Sequence, residues 1–437
     1  MIEPKQQLPV LEAIINVVST STEFINFDNI GFVCVQHLLY TTFNLVEALK
    51  QLGASTNNIH IIGKPYSSCQ EVVDLLTASK FCYHQNCSQK MLGGFLQSFK
   101  KDINNMWKSA YQNFQAKNIK LIVVLDDGGH CLINIPEHIT KKYQLVGIEQ
   151  TTSGLTHHLI NSLSFPVIEV ASSAAKQLIE PPMIAEAVVK KLVNIMSITN
   201  KSCVCAVVGL GVIGIAIVYK LVSLGYQVIT YDKKAVNKIQ IEGITYLDNF
   251  KELIVRADYI FGCTGEDITN NLDINIIEKD KTFISCSSYD KEFLSLLKII
   301  KQNNYTCDNI LDHIYYQLPN HKTITILRGG FPINLDNSGE SVEAKDIQLT
   351  RGLLLGGILQ GLLCAPHYFK KENNRIMLNP VIQSFVVKHW MLNGSNNLFS
   401  SEFLDKFQDY DWITERSGGV FHDNKHITKI FINNTSN

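Results

Sequence analysis

Neither sign of charge dominates this 437-residue chain, in which 39 Lys and Arg stand against 40 Asp and Glu for a net charge of −1. A protein that lies on nucleic acid or on an anionic membrane surface needs a basic face, so neither partner is expected. The eleven cysteines contain no CxxC pair. Cys82-Tyr-His84-Gln-Asn-Cys87 comes nearest to a metal cluster but has no matching second half, so no metal is expected. An odd number of cysteines, several inside apolar runs, suits free thiols in a reducing compartment, and a cytoplasmic location is expected. A membrane span is missing too. The most apolar run, Cys203–Tyr219, stops short of the roughly 20 residues that a span needs, and it carries three glycines. The first nine residues hold an acid and two prolines and lack the charged-then-apolar layout of a signal peptide.

What the chain does have is enough apolar material for real cores, 46% of its residues. At about 150 residues per domain, its length allows two or three of them. Short β-rich runs alternate with helical stretches, the pattern of parallel sheets covered by helices. A first series of strands is predicted at Gly31–Gln36, Ile59–Ile62, Leu121–Leu125, Leu145–Ile148 and Val167–Val170, with helices at Thr42–Leu52 and Gln89–Lys117. A second series follows at Val204–Val208, Gln227–Tyr231, Tyr259–Gly262, Phe283–Ser285 and Thr323–Leu327. Ile347–Cys364 reads as a helix too apolar to be exposed, which packs back onto a domain built earlier. The segment from about Asn396 shows few periodic signals.

Gly209-Leu-Gly211-Val212-Ile213-Gly214 joins the apolar run Val204–Val208 to a helical stretch, Val212–Leu224. The first glycine permits the tight turn, the second lets backbone amides approach a pyrophosphate, and the third lets helix and strand pack closely. Asp232 ends the next strand, at the distance where an acid accepts hydrogen bonds from ribose hydroxyls. That carboxylate favours NAD over NADP, although Lys233 and Lys234 follow it directly. Cys263, Thr264 and Gly265 put small residues after the strand Tyr259–Gly262, where they would line the dinucleotide crevice.

An ordered series of motifs then resembles the S-adenosylhomocysteine hydrolases. It comprises VQHLLYTTFNLVEALKQLGA, LDDGGH, GIEQTTSG, PVIEVASSAAK, the Gly209 loop, Cys263-Thr264-Gly265 and GGFPINL. The resemblance implies an α/β chain of two doubly wound parallel domains, with a central Rossmann NAD-binding domain inserted in a discontinuous substrate domain. The boundaries expected are 1–185 and 346–395 for the substrate domain, 186–345 for the NAD domain and 396–437 for a C-terminal tail. It implies a closed redox cycle in which NAD oxidises a nucleoside hydroxyl, a thiol is eliminated, water adds, and the ketone is reduced again. Catalytic roles fall to Lys176, Asp127, Glu180 and His37. Cofactor contacts fall to Gly209, Gly211, Val212, Ile213, Gly214, Asp232, Cys263, Thr264, Gly265, Thr151, Thr152, Ser153 and Asn334. A homo-oligomer acting on a nucleoside-like small molecule is expected.

The departures from that family cluster on the substrate side. Glu180 replaces an aspartate, Pro181 an asparagine and Gln150 a glutamate, while Leu39 and Thr41 replace the residues that would recognise adenine. The family's GHPxF gate is replaced by DNSGESVEAKD, and its lysine- and tyrosine-bearing tail is absent. Losing a buried hydrogen-bond partner costs about 1–3 kcal/mol per group, so an altered substrate is expected. Genuine adenosylhomocysteinase activity and a catalytically silent NAD-binding homologue remain alternatives. So does a simple two-domain dehydrogenase of the 2-hydroxy-acid type, although Arg256 and His313 form no clear Arg/Glu/His set.

Overall fold

In the computed structural model of the protein, the residues described are 8–23, 25–86, 94–196, 202–234, 242–303, 309, 311–368, 374–394, 398–422 and 424–432. The chain divides into two compact units. One comprises Met1–Cys87, Phe99–Glu180 and Asn337–Asn437, and the other Ser88–Ser98 and Pro181–Asp336. The first unit therefore takes in the C-terminal segment that the sequence left without a fold.

The sheet of the first unit is built from β1 (Ile30–Leu38), β2 (Ile59–Ser68), β3 (Cys82–His84), β4 (Leu121–Asp126), β5 (Gln144–Glu149) and β6 (Val167–Glu169). The second unit has β7 (Val204–Val208), β8 (Gln227–Tyr231), β9 (Ile244–Tyr246), β10 (Tyr259–Gly262), β11 (Lys281–Ser285), β12 (Ile314–Gln317) and β13 (Thr323–Ile326). The chain then returns to the first sheet with β14 (Arg375–Met377). The predicted strands are all present with ends shifted by a few residues. Four that were not predicted, β3, β9, β12 and β14, lie towards the sheet edges, where a short strand carries too few apolar residues to stand out.

Strand order is β14-β6-β5-β4-β1-β2-β3 in one sheet and β12-β13-β11-β10-β7-β8-β9 in the other. Every pair is parallel except β12 with β13. β1 is buried along almost its whole length, as a strand covered by helices on both faces must be. In each sheet the order reverses beside the first strand of the series, between β1 and β4 and between β7 and β10. At such a point the two flanking connections run to opposite faces and leave a crevice at the strands' carboxyl ends. The doubly wound architecture with an inserted Rossmann domain is thus the observed one.

The helix Ala344–Tyr368 is long and apolar enough to cross a membrane, yet 89% of its apolar window is buried inside the protein. It lies on the first sheet, with Gly357 close to Ile148, Ile168 and Val170. The C-terminal segment owes its order to aromatic packing that periodicity does not register. Trp390, Phe399, Phe403, Phe407 and Trp412 form a chain of rings with centroids 5.1–6.4 Å apart.

One ion pair ties the returning strand to the sheet. Arg375 on β14 holds Glu169 on β6, whose side chain has no exposed surface. Removing one partner of a buried pair strands the other charge. Arg375→Ala should therefore lower unfolding free energy by about 3 kcal/mol, measured by urea denaturation, with Ser172 still bonded to Glu169.

Candidate functional site

The second unit places the glycine loop at its switch point, between β7 and the helix Val212–Ser223. Gly209 has φ of +93°, a conformation that L side chains rarely adopt. A Cβ on Gly214 would lie 1.9 Å from the Gly209 carbonyl oxygen, so only glycine lets the helix meet the strand there. Gly211 caps the helix with no side-chain hydrogen bond, and space for a Cβ on it is open to beyond 4 Å. The helix thus offers its first-turn amides and positive dipole end to an open space, which suits a pyrophosphate. Val212 and Ile213 stand in that first turn.

Asp232 braces this cradle. One of its carboxylate oxygens accepts from the Leu210 amide at 2.7 Å and the other from the Lys234 amide at 2.7 Å. Lys233 is paired with Glu266, so its charge is already met at the crevice edge. Across the switch point, Cys263, Thr264 and Gly265 follow β10. A residue the sequence did not single out, buried Glu292, accepts from the Gly265 amide at 2.5 Å and from the Thr264 hydroxyl at 3.0 Å. Burial raises the Glu292 carboxyl to about 7 against these bonds. The Cys263 thiol is pushed well above its ordinary value by its neighbour Cys286 and by burial, so it stays a neutral lining group. These residues fit a dinucleotide: this unit is an NAD(P)-binding domain. Asn334 follows in the loop after β13.

The first unit gathers charge at its own switch point. Lys64 on β2 is bonded to Asp127, just past β4, and both side chains are 1% exposed. The Asp127 amide donates to the Val35 carbonyl at 3.1 Å, which fixes the turn to β1. His37 lies 3.4 Å from Asp127 through Nε2 and bonds Ser67 through Nδ1. Burial would raise Asp127, but Lys64, His37 and Lys176 override it and hold the carboxyl at about 2. For Lys64, burial acts against the charge and Asp127 outweighs it, so the ammonium is retained. Burial lowers His37 to about 3, helped by Lys64, Arg351 and Lys176 and opposed by Asp127.

Lys176, in the first turns of the helix after β6, is bonded to Glu180, and the Thr350 hydroxyl donates to the same carboxylate. Arg351 donates to the Thr41 hydroxyl at 3.1 Å, and Glu340 accepts from the Thr41 amide at 2.6 Å. Burial lifts Glu340 to about 7 against the nearby Arg351 charge. The predicted residues His37, Asp127, Lys176 and Glu180 are therefore brought together. Lys64, Thr350, Arg351 and Glu340 belong with them and were missed in the sequence. Each sits in a stretch that reads as strand, core helix or loop, and only the three-dimensional fold brings it to the cluster. Thr151 has a structural task as well. It caps a short helix, accepts from the Gly154 amide at 3.0 Å and bonds Glu149 at 2.7 Å. Thr152 and Ser153 form that helix's first turn. Pro181 lies within the helix Ala174–Met196, where it supplies no amide to the ladder.

Comparison with known proteins bears on the second unit most directly. Residues 204–295 match the family described as the NAD binding domain of 6-phosphogluconate dehydrogenase. Two uncharacterised proteins from two strains of Mycobacterium tuberculosis are each 28% identical over 337 residues. The match covers 76% of this chain, which spans 64% of the length of these curated relatives. Among solved structures, the NAD-complexed D-isomer specific 2-hydroxyacid dehydrogenase of Lactobacillus delbrueckii ssp. bulgaricus aligns at 13% identity and a TM-score of 0.34, covering 77% of this chain and 98% of that one. The NADPH-dependent glyoxylate/hydroxypyruvate reductase of Sinorhizobium meliloti aligns at 10% identity and a TM-score of 0.41, covering 76% and 94%. At those scores nothing about the site is transferred.

These findings correct the family expected from the sequence. The family model that matches the cofactor unit is that of a dehydrogenase cofactor domain. The chain is therefore not an S-adenosylhomocysteine hydrolase, and the expected nucleoside substrate, hydrolase chemistry and closed redox cycle fall with that family. The physical reason is visible in the fold. VQHLL, LDDGGH, GIEQTTSG and PVIEVASSAAK each fall at the carboxyl end of one strand, β1, β4, β5 or β6. A doubly wound sheet presents polar loops at those places in that order whatever its chemistry.

Two predictions follow from this geometry. Gly214→Ala should abolish NADH binding followed by nicotinamide fluorescence, while the first unit stays folded by circular dichroism. His37 has a folded value of about 3 against an ordinary 6.5. The unfolded chain therefore binds the proton first, and this group's contribution to stability is present above 6.5 and lost as pH falls towards 3. In NMR titration the His37 ring should remain neutral where exposed histidines have already become charged.

Proposed function

We propose that the protein is an NAD(P)-dependent oxidoreductase that interconverts a secondary hydroxyl and a carbonyl on a small polar substrate, with NAD as the preferred cofactor. When bound, the dinucleotide supplies the hydride acceptor. The chain's own residues must then hold the substrate hydroxyl and take its proton. The observation that carries this reading is the Lys176–Glu180–Thr350 chain. Lys64 and Asp127 are closed off at 1% exposure, whereas Lys176 and Glu180 are 12% and 14% exposed. They are the charged pair of this cluster that a substrate can reach.

In the oxidative direction the Lys176 ammonium gives a proton to the Glu180 carboxylate as it takes up the hydroxyl proton, with Thr350 steadying the carboxylate. The carbon loses its hydride and becomes the carbonyl, so one hydride and one proton leave the substrate together. His37 is not assigned the proton. Both its ring nitrogens are occupied, by Ser67 and Asp127, and it serves to orient Asp127. The preference for NAD rests on Asp232, whose carboxylate would oppose a 2′-phosphate, and on Lys233 being paired with Glu266.

The test is a spectrophotometric screen of 2-hydroxy acids and other secondary alcohols for steady accumulation of reduced cofactor. Lys176→Ala should lower kcat by about 10²–10⁴-fold, the usual range for general acid–base catalysis, with NAD affinity unchanged. Cofactor binding without turnover on any substrate, or full activity of the variant, would overturn the proposal. Asp232→Ser should narrow the preference for NAD over NADP, because a charge repulsion of about 1 kcal/mol in water is removed.

A further inference from the structure

Beneath the charged cluster lie two carboxylic acids with no role in the chemistry proposed above. Asp126 ends β4 and Glu149 ends β5, and the two are register partners in the parallel ladder. Residues paired in this way point to the same face of the sheet, on strands about 4.8 Å apart. Both side chains are completely buried.

Their hydrogen bonding is one-sided in a matching way. Asp126 Oδ2 accepts from the Cys131 amide at 2.7 Å and the Leu132 amide at 2.9 Å. Glu149 Oε1 accepts from the Gly128 amide at 3.1 Å and from the Thr151 amide and hydroxyl, each at 2.7 Å. The remaining oxygens, Asp126 Oδ1 and Glu149 Oε2, are buried and have no donor among the described residues. Two buried carboxylates side by side, each with one bare oxygen, are unfavourable twice over, by desolvation and by like charge. A single proton between the bare oxygens removes both penalties.

We infer that Asp126 and Glu149 share one proton through Oδ1 and Oε2, and that this acid pair positions the turn that carries Asp127. The turn is held from both ends. Asp126 grips Cys131 and Leu132 at its far end, and Glu149 grips Gly128, the residue directly after Asp127, while the Asp127 amide itself is held by the Val35 carbonyl. Lys64 bears on the pair and favours an ionised Asp126, but its hydrogen-bonded partner is Asp127. Glu169 at the next register position is committed to Arg375, and the Cys34 and Cys131 thiols are held neutral by burial. His130 lies within the turn itself. Burial, then the Asp126 charge, raises Glu149 well above the ordinary carboxylate range, and burial brings Asp126 to about 7 against its backbone donors and Lys64. Ordinary values are 3.8 and 4.5, so the pair's contribution is fully present below about 4 and is lost as pH rises through about 7. This inference does not depend on the redox reading.

The test uses Asp126→Asn, Glu149→Gln and the double variant in the full-length protein. In either single variant the new amide keeps its oxygen on the backbone donors and turns its NH₂ to the neighbouring carboxylate, which mimics the shared proton. Both singles should fold, and both should show a shallower fall in stability from acid to neutral pH. The double variant sets two NH₂ groups against each other and should be less stable than either single. If the two acids were independently ionised, removing both charges would give the most stable protein of the set, and that result would overturn the inference. Side-chain ¹³C NMR of the wild-type protein supplies a measurement that needs no variant. In neutral buffer the two carboxyl resonances should together report one proton, and two fully ionised shifts would sink the idea.

Discussion

Charge buried at the carboxyl ends of a parallel sheet is the constraint on which the rest of this protein depends. A lysine and an aspartate taken out of water are tolerable only when each is the other's partner and their remaining hydrogen bonds are met. Lys64 and Asp127 are such partners at the switch point of the first sheet, and His37 lies 3.4 Å from the second oxygen of Asp127. Their pairing dictates what surrounds them: a neutral His37, an Arg351 turned to Thr41 and Glu340, and a more accessible Lys176–Glu180 pair at the margin. Little of this arrangement can be altered singly, since removing one ion changes the charge state favoured by its neighbours.

The two units use one topology for different tasks. In the second, the switch point is lined by glycines and small residues, and what it offers a ligand is backbone, namely the amides of a helix end. In the first, the same place is lined by long titratable side chains. A dinucleotide is held well by a surface of amides because its phosphates are the charge. A small polar substrate that must gain or lose a proton needs side chains that can carry one. Each unit anchors its loops with buried acids at strand ends or nearby, Glu292 under Thr264 and Gly265, and Asp126 and Glu149 under the Asp127 turn.

Much of this was legible in the residues. The Gly209 loop and Asp232 could be read because dinucleotide recognition needs glycines at a fixed spacing within one strand–turn–helix–strand stretch, so the signal is local. Asp127 and Lys176 were singled out through a family resemblance that proved misleading, and the fold brings both into the charged cluster. The motifs supporting that family mark strand ends in a doubly wound sheet, and strand ends are shared by many chemistries. Lys64, Arg351 and Glu340 were invisible for the opposite reason. They stand in an apolar strand, a core helix and an undistinguished loop, and no spacing rule connects positions some three hundred residues apart.

By itself the sequence determined the α/β class, the two series of strands, the position of the cofactor loop and the apolar helix that returns to the first sheet. These follow from periodicity and turn chemistry, which act over a few residues. Only the tertiary structure decided which titratable groups are partners, which are sealed from water and which stay partly exposed. Burial and pairing are properties of the three-dimensional neighbourhood, and they set protonation. The acid pair of Asp126 and Glu149 shows the difference most plainly. In the sequence they are two unrelated carboxylates, and the register of two parallel strands makes them neighbours.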